Sequence, residues 1–198
     1  MRLFAAVLPP ARSVVELGAA VDRLGALPGA EQLRWTDRAG WHFTLAFMGE
    51  VDDETLPDLR ARLARAARRS SPFPLRIHGA GHFGDRALWA GAAGGLDELR
   101  LLAERADAAA RRAGIAMDHH RRYTPHLTIA RSRTGTELRA YTDGLGDFEG
   151  TPWQVDRLAL VRSNLPVSGV PGEQPRYETV GTWPLGAATR SGPVNLKG

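Results

Sequence analysis

The sequence predicts an α+β protein built from two similar lobes, each an antiparallel-rich sheet backed by helices. Three observations indicate this fold. Short apolar runs alternate with segments of helical periodicity, and the pattern His-x-Thr-x occurs twice, at His42 and at His126. The chain has 198 residues, 43% of them hydrophobic, which suits one well-packed domain. We expect this domain to span residues 1–185 and residues 186–198 to form a disordered tail.

The elements of the first half follow from periodicity and from residues that break regular structure. They are a strand over residues 2–8, a helix over 11–27, a strand over 41–51, a helix beginning at Asp52-Asp53, and strands over 72–83 and 87–91. Pro9 and Pro10 end the first strand. Val14, Leu17 and Val21 recur at helical spacing and predict the helix that follows.

The second half repeats this organisation around the second His-x-Thr-x pattern. Its predicted elements are a helix over residues 95–113, a strand over 123–132, a strand over 154–162 and a closing strand over 177–185. Leu96, Leu99 and Ala103 give the helix an apolar side, and Gly114 is expected to end it. The sequence therefore indicates an internal duplication.

The composition excludes several functional classes. Because the chain has no cysteine, it has no disulfide, thiolate metal site or cysteine nucleophile, which is typical of a reducing compartment. Its formal charge of +4 permits an anionic partner. The N-terminal apolar run is short for a signal peptide, and no segment approaches the about 20 apolar residues of a membrane span. We expect a cytoplasmic monomer, since no apolar stripe indicates an obligate dimer.

The repeated motif carries the functional prediction. Residues two apart in a strand point the same way, so His42 shares a side with Thr44, and His126 with Thr128. The alternation also places Ala46 on the side of His42 and Ala130 on the side of His126. The opposite side of the first motif is expected to face the core and carries Trp41, Phe43, Leu45 and Phe47. A lone His-x-Thr is usually structural. Two copies in matching places predict that two imidazoles and two hydroxyls meet in one cleft.

Such a cleft suits phosphodiester cleavage. One imidazole can accept a proton from water while the other gives a proton to the departing oxygen, because imidazole titrates near neutral pH. The threonine hydroxyls can donate hydrogen bonds to the phosphate oxygens. These groups cover proton transfer and charge between them, so we expect neither a cofactor nor a metal.

The motifs and their flanks resemble a known family. The segments "HFTLAFMGEV" and "HLTIAR" resemble the paired signatures of the 2H phosphoesterases. The flanks "RLFAAVLPP", "RWTDRAGW", "LWAG", "LALVRSNL" and "YETVGTWPL" are similar to those of one branch, the RNA 2′,3′-cyclic phosphodiesterases, once called 2′-5′ RNA ligases. The resemblance implies a bilobal fold with a pseudo-twofold axis. It also implies that an RNA end with a 2′,3′-cyclic phosphate, such as that of a tRNA half, is hydrolysed to a 2′-phosphate, with reversible 2′-5′ joining as a further reaction.

The resemblance also implies roles for particular residues. His42 and His126 match the proton-transfer pair, and Thr44 and Thr128 match the phosphate donors. Our hypothesis is that His126 activates water and His42 protonates the leaving 3′ oxygen, although the near-symmetry of the site leaves the opposite assignment open. Arg131 matches a family arginine that would hold the phosphate. Strict alternation puts it on the side of the core residues, unless the strand bends.

Other residues give weaker indications. The aromatic side chains expected to stack on a base are Trp35, Phe47 and Tyr123. A metal site at His119-His120 is disfavoured, because adjacent strand residues face opposite ways and no carboxylate lies at a matching spacing. Two alternatives remain: the same chemistry on a small nucleotide, such as a cyclic phosphate of ADP-ribose, or a non-catalytic RNA-binding module.

Overall fold

Two antiparallel sheets and four α-helices form the part of the protein that the computed structural model describes, namely residues 1–118, 123–166 and 173–186. The strands are β1 (Arg2–Val7), β2 (Leu33–Trp35), β3 (Phe43–Glu50), β4 (Phe73–Phe83), β5 (Ala87–Gly94), β6 (Leu127–Ser132), β7 (Trp153–Val155), β8 (Arg157–Asn164) and β9 (Arg176–Pro184). The helices are α1 (Ala11–Leu24), α2 (Leu56–Arg68), α3 (Leu96–Arg112) and α4 (Arg139–Leu145). The predicted α+β class is confirmed.

Each sheet is covered by two helices on one side only. The first sheet has the strand order β3-β1-β8-β9, and the helices α2 and α3 pack against it. The second sheet has the order β2-β6-β5-β4-β7, and α1 and α4 pack against it. The uncovered side of each sheet carries the side chains of its His-x-Thr-x motif. We refer to this side as the motif face.

The two lobes are not sequential halves of the chain. The first sheet combines β1 and β3 with β8 and β9, which come from the opposite end of the sequence. The helix α1 follows β1 but packs on the second lobe, against α4 and β4. The helix α3 follows β5 of the second sheet but packs on the first lobe, against α2 and β3. Each half of the chain therefore contributes a helix to the other lobe.

The helices form where the apolar spacing predicts them. In α1 the buried side includes Leu17, Val21 and Leu24, and in α3 it includes Leu99 and Leu102. The helix α3 ends at Arg112, and the chain turns at Gly114, whose φ of 88° is a left-handed conformation that glycine adopts without strain. Among the described residues, none of the helices is both long and apolar enough to cross a membrane.

Several elements differ from the sequence prediction. The strand expected over residues 154–162 is interrupted at Asp156 and forms β7 and β8 in different sheets. The three-residue β2 and the seven-residue α4 were not predicted, because both are too short to show a periodic pattern. The strand expected over residues 123–132 begins at Leu127. The expected tail, apart from Gly186, lies outside the described residues.

Candidate active site

The two motif histidines occupy equivalent positions and are held in the same way. His42 lies directly before β3, and His126 lies directly before β6. Nδ1 of His42 donates a hydrogen bond to the carbonyl oxygen of Gly40 at 2.6 Å, and Nδ1 of His126 donates to that of Thr124 at 2.8 Å. A carbonyl only accepts, so Nδ1 carries the proton in both rings. Nε2 of each neutral imidazole is therefore the nitrogen that can accept a proton.

Both motif strands also carry a β-bulge at the same place. In β3, Thr44 pairs with Ala6 and Ala46 pairs with Ala5, so that Leu45 has no partner in β1. This residue is the fourth of the His-x-Thr-x motif. A bulge of this kind shifts the alternation of side chains along the strand by one residue.

The second motif has the same irregularity. In β6, Thr128 pairs with Trp89 and Ala130 pairs with Leu88, so that Ile129 has no partner in β5. Beyond it, Arg131 pairs with Ala87 on one side and with Arg34 of β2 on the other. The bulge therefore brings Arg131 to the side of Thr128, which is the bend that the sequence left open.

The bulges correct the alternation that the sequence predicted. Phe47 was expected in the core, but it pairs with Phe4 on the motif face and is 47% exposed. Ala46 and Ala130, expected beside the histidines, are buried on the opposite side. Phe47 and Arg131 thus hold the same position in their respective motifs, five residues after the histidine.

The two threonines are available for hydrogen bonding. Thr44 and Thr128 are half-buried on the motif faces, two residues after their histidines. Within the described part of the chain, neither hydroxyl has a hydrogen-bond partner. Both can therefore donate to a group that enters the space between the lobes.

Aromatic rings enclose His42. Its imidazole lies 4.5 Å from the ring of Phe4 and 5.2 Å from that of Tyr177, which meets it edge-on at 72°. Tyr177 also lies close to Gly40, where a Cβ atom would be 2.9 Å from the ring. A side chain at position 40 would therefore require the Tyr177 ring to shift.

The surroundings of His42 lower its pKa to about 4. Burial is the largest cause, since it disfavours the charged imidazolium, and the positive charges of His126 and Arg131 act in the same direction. The carbonyl of Gly40 opposes the shift by stabilising the charged ring. Because charges on the second lobe reach His42, the two histidines and Arg131 lie within electrostatic range of one another.

We predict that Tyr177→Ala raises the pKa of His42 from about 4 toward 6.5, the ordinary value for histidine. Removal of the ring admits water to the imidazole and weakens the effect of burial. Tyr177→Phe keeps the ring and is the matched control. An NMR titration of the His42 ring protons measures both variants. An unchanged pKa in Tyr177→Ala would contradict the prediction.

His126 has an aromatic environment of its own. Phe83 meets its ring edge-on at a centroid distance of 4.9 Å, and Trp89 lies 6.3 Å away. The indole of Trp89 crosses directly over Gly81, where a Cβ atom would lie 2.3 Å from it. Phe83 is 44% exposed and Tyr177 is 37% exposed, so each histidine is bordered by an aromatic ring that also faces solvent.

Two of the predicted stacking residues pack against the core. Trp35 pairs with the buried Ala130, donates its indole N–H to the carbonyl of Ala30 at 3.0 Å, and packs on Tyr141 under the helices. Tyr123 packs against the core, and burial raises the pKa of its hydroxyl. Of the three aromatic candidates, Phe47 is the most exposed.

Other sequence indications have mixed outcomes. His119 and His120 lie outside the described residues. Among the residues that the structure does describe, no three His, Asp or Glu side chains gather as a metal site would require.

The sequence prediction did not include Phe4 and Tyr177, which surround His42. No local pattern identifies Tyr177, because only the pairing of β8 with β9 and of β8 with β1 brings it to this lobe.

Two lobes that present one His-x-Thr motif each, in equivalent strands and with the same Nδ1 hydrogen bond, are the arrangement expected of a two-histidine phosphoesterase. Comparison with known proteins agrees with this class. The family model described as the 2′-5′ RNA ligase superfamily matches residues 15–165. The chain therefore belongs to the 2′-5′ RNA ligase superfamily.

Individual relatives have consistent names. An RNA 2′,3′-cyclic phosphodiesterase of Geobacillus stearothermophilus is 31% identical over 159 residues, which are 76% of this chain but 47% of that protein. An enzyme of the same name from Aquifex aeolicus is 27% identical over 77% of this chain and 82% of its own length. The crystal structure of Escherichia coli LigT complexed with 3′-AMP matches with a TM-score of 0.75 and 26% identity, covering 93% of this chain and 97% of that one. The chain thus spans less than half the length of the first of these relatives and nearly all of LigT.

Proposed function

We propose that the protein is an RNA 2′,3′-cyclic phosphodiesterase, which hydrolyses a terminal 2′,3′-cyclic phosphate to a 2′-phosphate by metal-independent acid–base catalysis. The observation that carries the proposal is the matched presentation of the two imidazoles. Each has Nδ1 fixed to a carbonyl two residues earlier, and each leaves Nε2 for proton transfer. The names of the Geobacillus and Aquifex relatives support the choice of substrate.

The reaction consumes one water molecule. Nε2 of His126 accepts a proton from water as its oxygen attacks the phosphorus, and the bond between phosphorus and the 3′ oxygen breaks. Nε2 of His42 gives its proton to that oxygen, which leaves as a 3′-hydroxyl. The phosphate stays on the 2′ oxygen. Reversal of the same steps with the 5′-hydroxyl of a second RNA in the place of water would give the 2′-5′ joining reaction.

The phosphate is held by hydrogen bonds and charge. Thr44 and Thr128 donate their hydroxyls to the two non-bridging oxygens from opposite lobes, where negative charge must be stabilised in the transition state. Arg131, which the bulge in β6 brings to the motif face, adds a guanidinium that suits a phosphate anion.

Phe47 and Arg131 make the pseudo-symmetric cleft unequal. Because they occupy the same motif position, one end of the cleft has a charged side chain and the other has an exposed ring. We assign the base of the terminal nucleotide to the Phe47 end, where stacking contributes about 1–3 kcal/mol. The guanidinium of Arg2 lies 4.7 Å from the ring centroid of Phe47, so it can contact either the bound base or its phosphate.

The pKa of His42 affects which histidine acts as the acid and which acts as the base. With a pKa of about 4, His42 is neutral in the free protein at pH 7, which by itself favours it as the base. A bound phosphate reverses this tendency, because a nearby negative charge favours the imidazolium. We therefore keep His42 as the acid, protonated when the anionic substrate binds. A desolvated imidazolium then gives up its proton readily.

This assignment predicts that a bound nucleoside 2′-phosphate raises the pKa of His42 from about 4 to above about 7. The measurement is an NMR titration of the His42 ring with and without 2′-AMP. The variant Arg131→Gln, which removes a neighbouring positive charge, should raise the pKa of His42 in the free protein as well. If His42 stays neutral at pH 7 in the complex, the two roles are reversed.

The function is tested with an RNA oligonucleotide that ends in a 2′,3′-cyclic phosphate, assayed in EDTA. We expect turnover, with the product phosphate on the 2′ position. A cyclic mononucleotide and a cyclic phosphate of ADP-ribose, assayed in parallel, identify the small-nucleotide alternative. Binding without turnover would indicate a non-catalytic module. Activity that is lost in EDTA and restored by a divalent ion would contradict the metal-free mechanism.

A further inference from the structure

A second feature of the molecule is a groove between α2 and α3 with a strong positive charge. Its cavity volume is about 370 Å³. The charged side chains that line it are Arg62, Arg65, Arg69, Arg105, Arg112 and Glu104. We call this feature the arginine groove. Five guanidinium groups thus face one carboxylate.

The charges in the groove are poorly compensated. Some arginines elsewhere are paired with acids, for example Arg12 with Glu16, and Arg111 with Asp107 on the same helix α3. In the groove, Arg62 pairs with Asp58 at 2.7 Å. Within the described ranges, the other four groove arginines have no ion pair. Like charges gathered this closely repel one another, and an anion that enters between them removes the repulsion.

Arg105 is already fixed in position. Its Nη1 donates to the carbonyl oxygen of Arg69 at 2.6 Å and to Oγ of Ser70 at 2.9 Å. Ser70 is buried, and its hydroxyl donates in turn to the carbonyl of Ala66 at 2.9 Å. The remaining N–H groups of the guanidinium are left for a ligand. Because the side chain is ordered in advance, less entropy is lost when a phosphate binds.

The groove lies on the side of the first lobe that faces away from the histidines. The helices α2 and α3 cover the face of the first sheet opposite to its motif face. The groove is therefore separated from the cleft by about 15 Å, the combined thickness of a sheet and a helix layer. A phosphate in the groove cannot belong to the nucleotide that reacts.

We infer that the arginine groove binds phosphates of the RNA body, beyond the end that enters the cleft. The inference rests on the proposed function for the identity of the polyanion. Arginine forks match phosphate oxygens in geometry as well as charge. The groove then adds affinity for long RNA without touching the reacting group, and it distinguishes a long substrate from a cyclic mononucleotide.

The test removes two exposed groove charges in Arg65→Gln/Arg69→Gln. The control, Arg23→Gln/Arg139→Gln, removes two exposed charges from α1 and α4 on the other lobe. Binding is measured by fluorescence anisotropy with a labelled tRNA half that ends in a plain 3′-hydroxyl. We expect about tenfold weaker binding at low salt and a salt slope smaller by about 2, while the control changes little. For the same RNA with a cyclic phosphate, kcat/KM falls in parallel, and for a cyclic mononucleotide it is unchanged.

The two proposals can fail separately. Absence of cyclic-phosphate hydrolysis would refute the proposed function, whereas the binding measurement with a plain RNA end still decides the role of the groove. Equal losses in both double variants would overturn the inference, because only the overall charge would matter. Unchanged RNA binding in the groove double variant would also overturn it. So would a variant that binds anionic lipid vesicles more weakly, in a parallel assay, but binds RNA normally.

Discussion

Replacement of His42 or His126 by alanine is expected to reduce kcat about 10²–10⁴-fold, the usual contribution of a positioned proton donor or acceptor. The two losses should not add in the double variant, because one proton transfer has little value without the other. The measurement is steady-state hydrolysis of an RNA that ends in a 2′,3′-cyclic phosphate. Because each imidazole transfers its proton only through Nε2, we expect a glutamine at either position to leave the protein inactive.

The chain offers a matched control for these variants. His78 is exposed in β4, away from the motif strands, so His78→Ala should keep full activity. A variant that lost activity by unfolding would show a reduced melting temperature as well. Full turnover in His126→Ala would refute the two-histidine mechanism.

The threonine pair should have the second largest effect. Thr44→Val and Thr128→Val preserve the shape of each side chain but remove its hydroxyl. We expect kcat to fall about 100-fold for each, because a donor aimed at developing negative charge contributes about 10²–10³-fold. The loss should appear in kcat more than in KM, since the hydrogen bonds strengthen as the transition state forms.

Serine is the discriminating replacement at these positions. Thr44→Ser and Thr128→Ser retain the hydroxyl and should keep most of the activity. If valine and serine variants were equally impaired, the methyl group would be the important part of the side chain, and the assignment as phosphate donors would be wrong.

Much of this site could be predicted from the sequence because the motif is repeated. The pairing of His42 with His126 needs only two observations, the identical spacing to Thr44 and Thr128 and the similar flanking elements. The longer helices were predicted within a few residues because their apolar spacing is regular. In each case the signal is local, so the sequence alone contains it.

The bulges show where local reasoning fails. A bulge depends on the partner strand, because it is the pairing with β1 or β5 that leaves Leu45 and Ile129 without a partner. Nothing in the alternation of β3 or β6 reveals it. As a result, Phe47 was assigned to the core and Arg131 to the wrong side under strict alternation. For the same reason Tyr177, on a strand far from His42 in the sequence, could not be predicted as its neighbour.

The crossing of α1 and α3 between the lobes has a mechanical consequence. The connections at residues 8–10, at Gly95 and at Asp156 are short and join elements of different lobes, so they limit how far the lobes can move apart. The fold therefore limits changes in the distance between the two motif imidazoles. We expect turnover to be limited by chemistry or by departure of the product, not by a closing motion of the lobes.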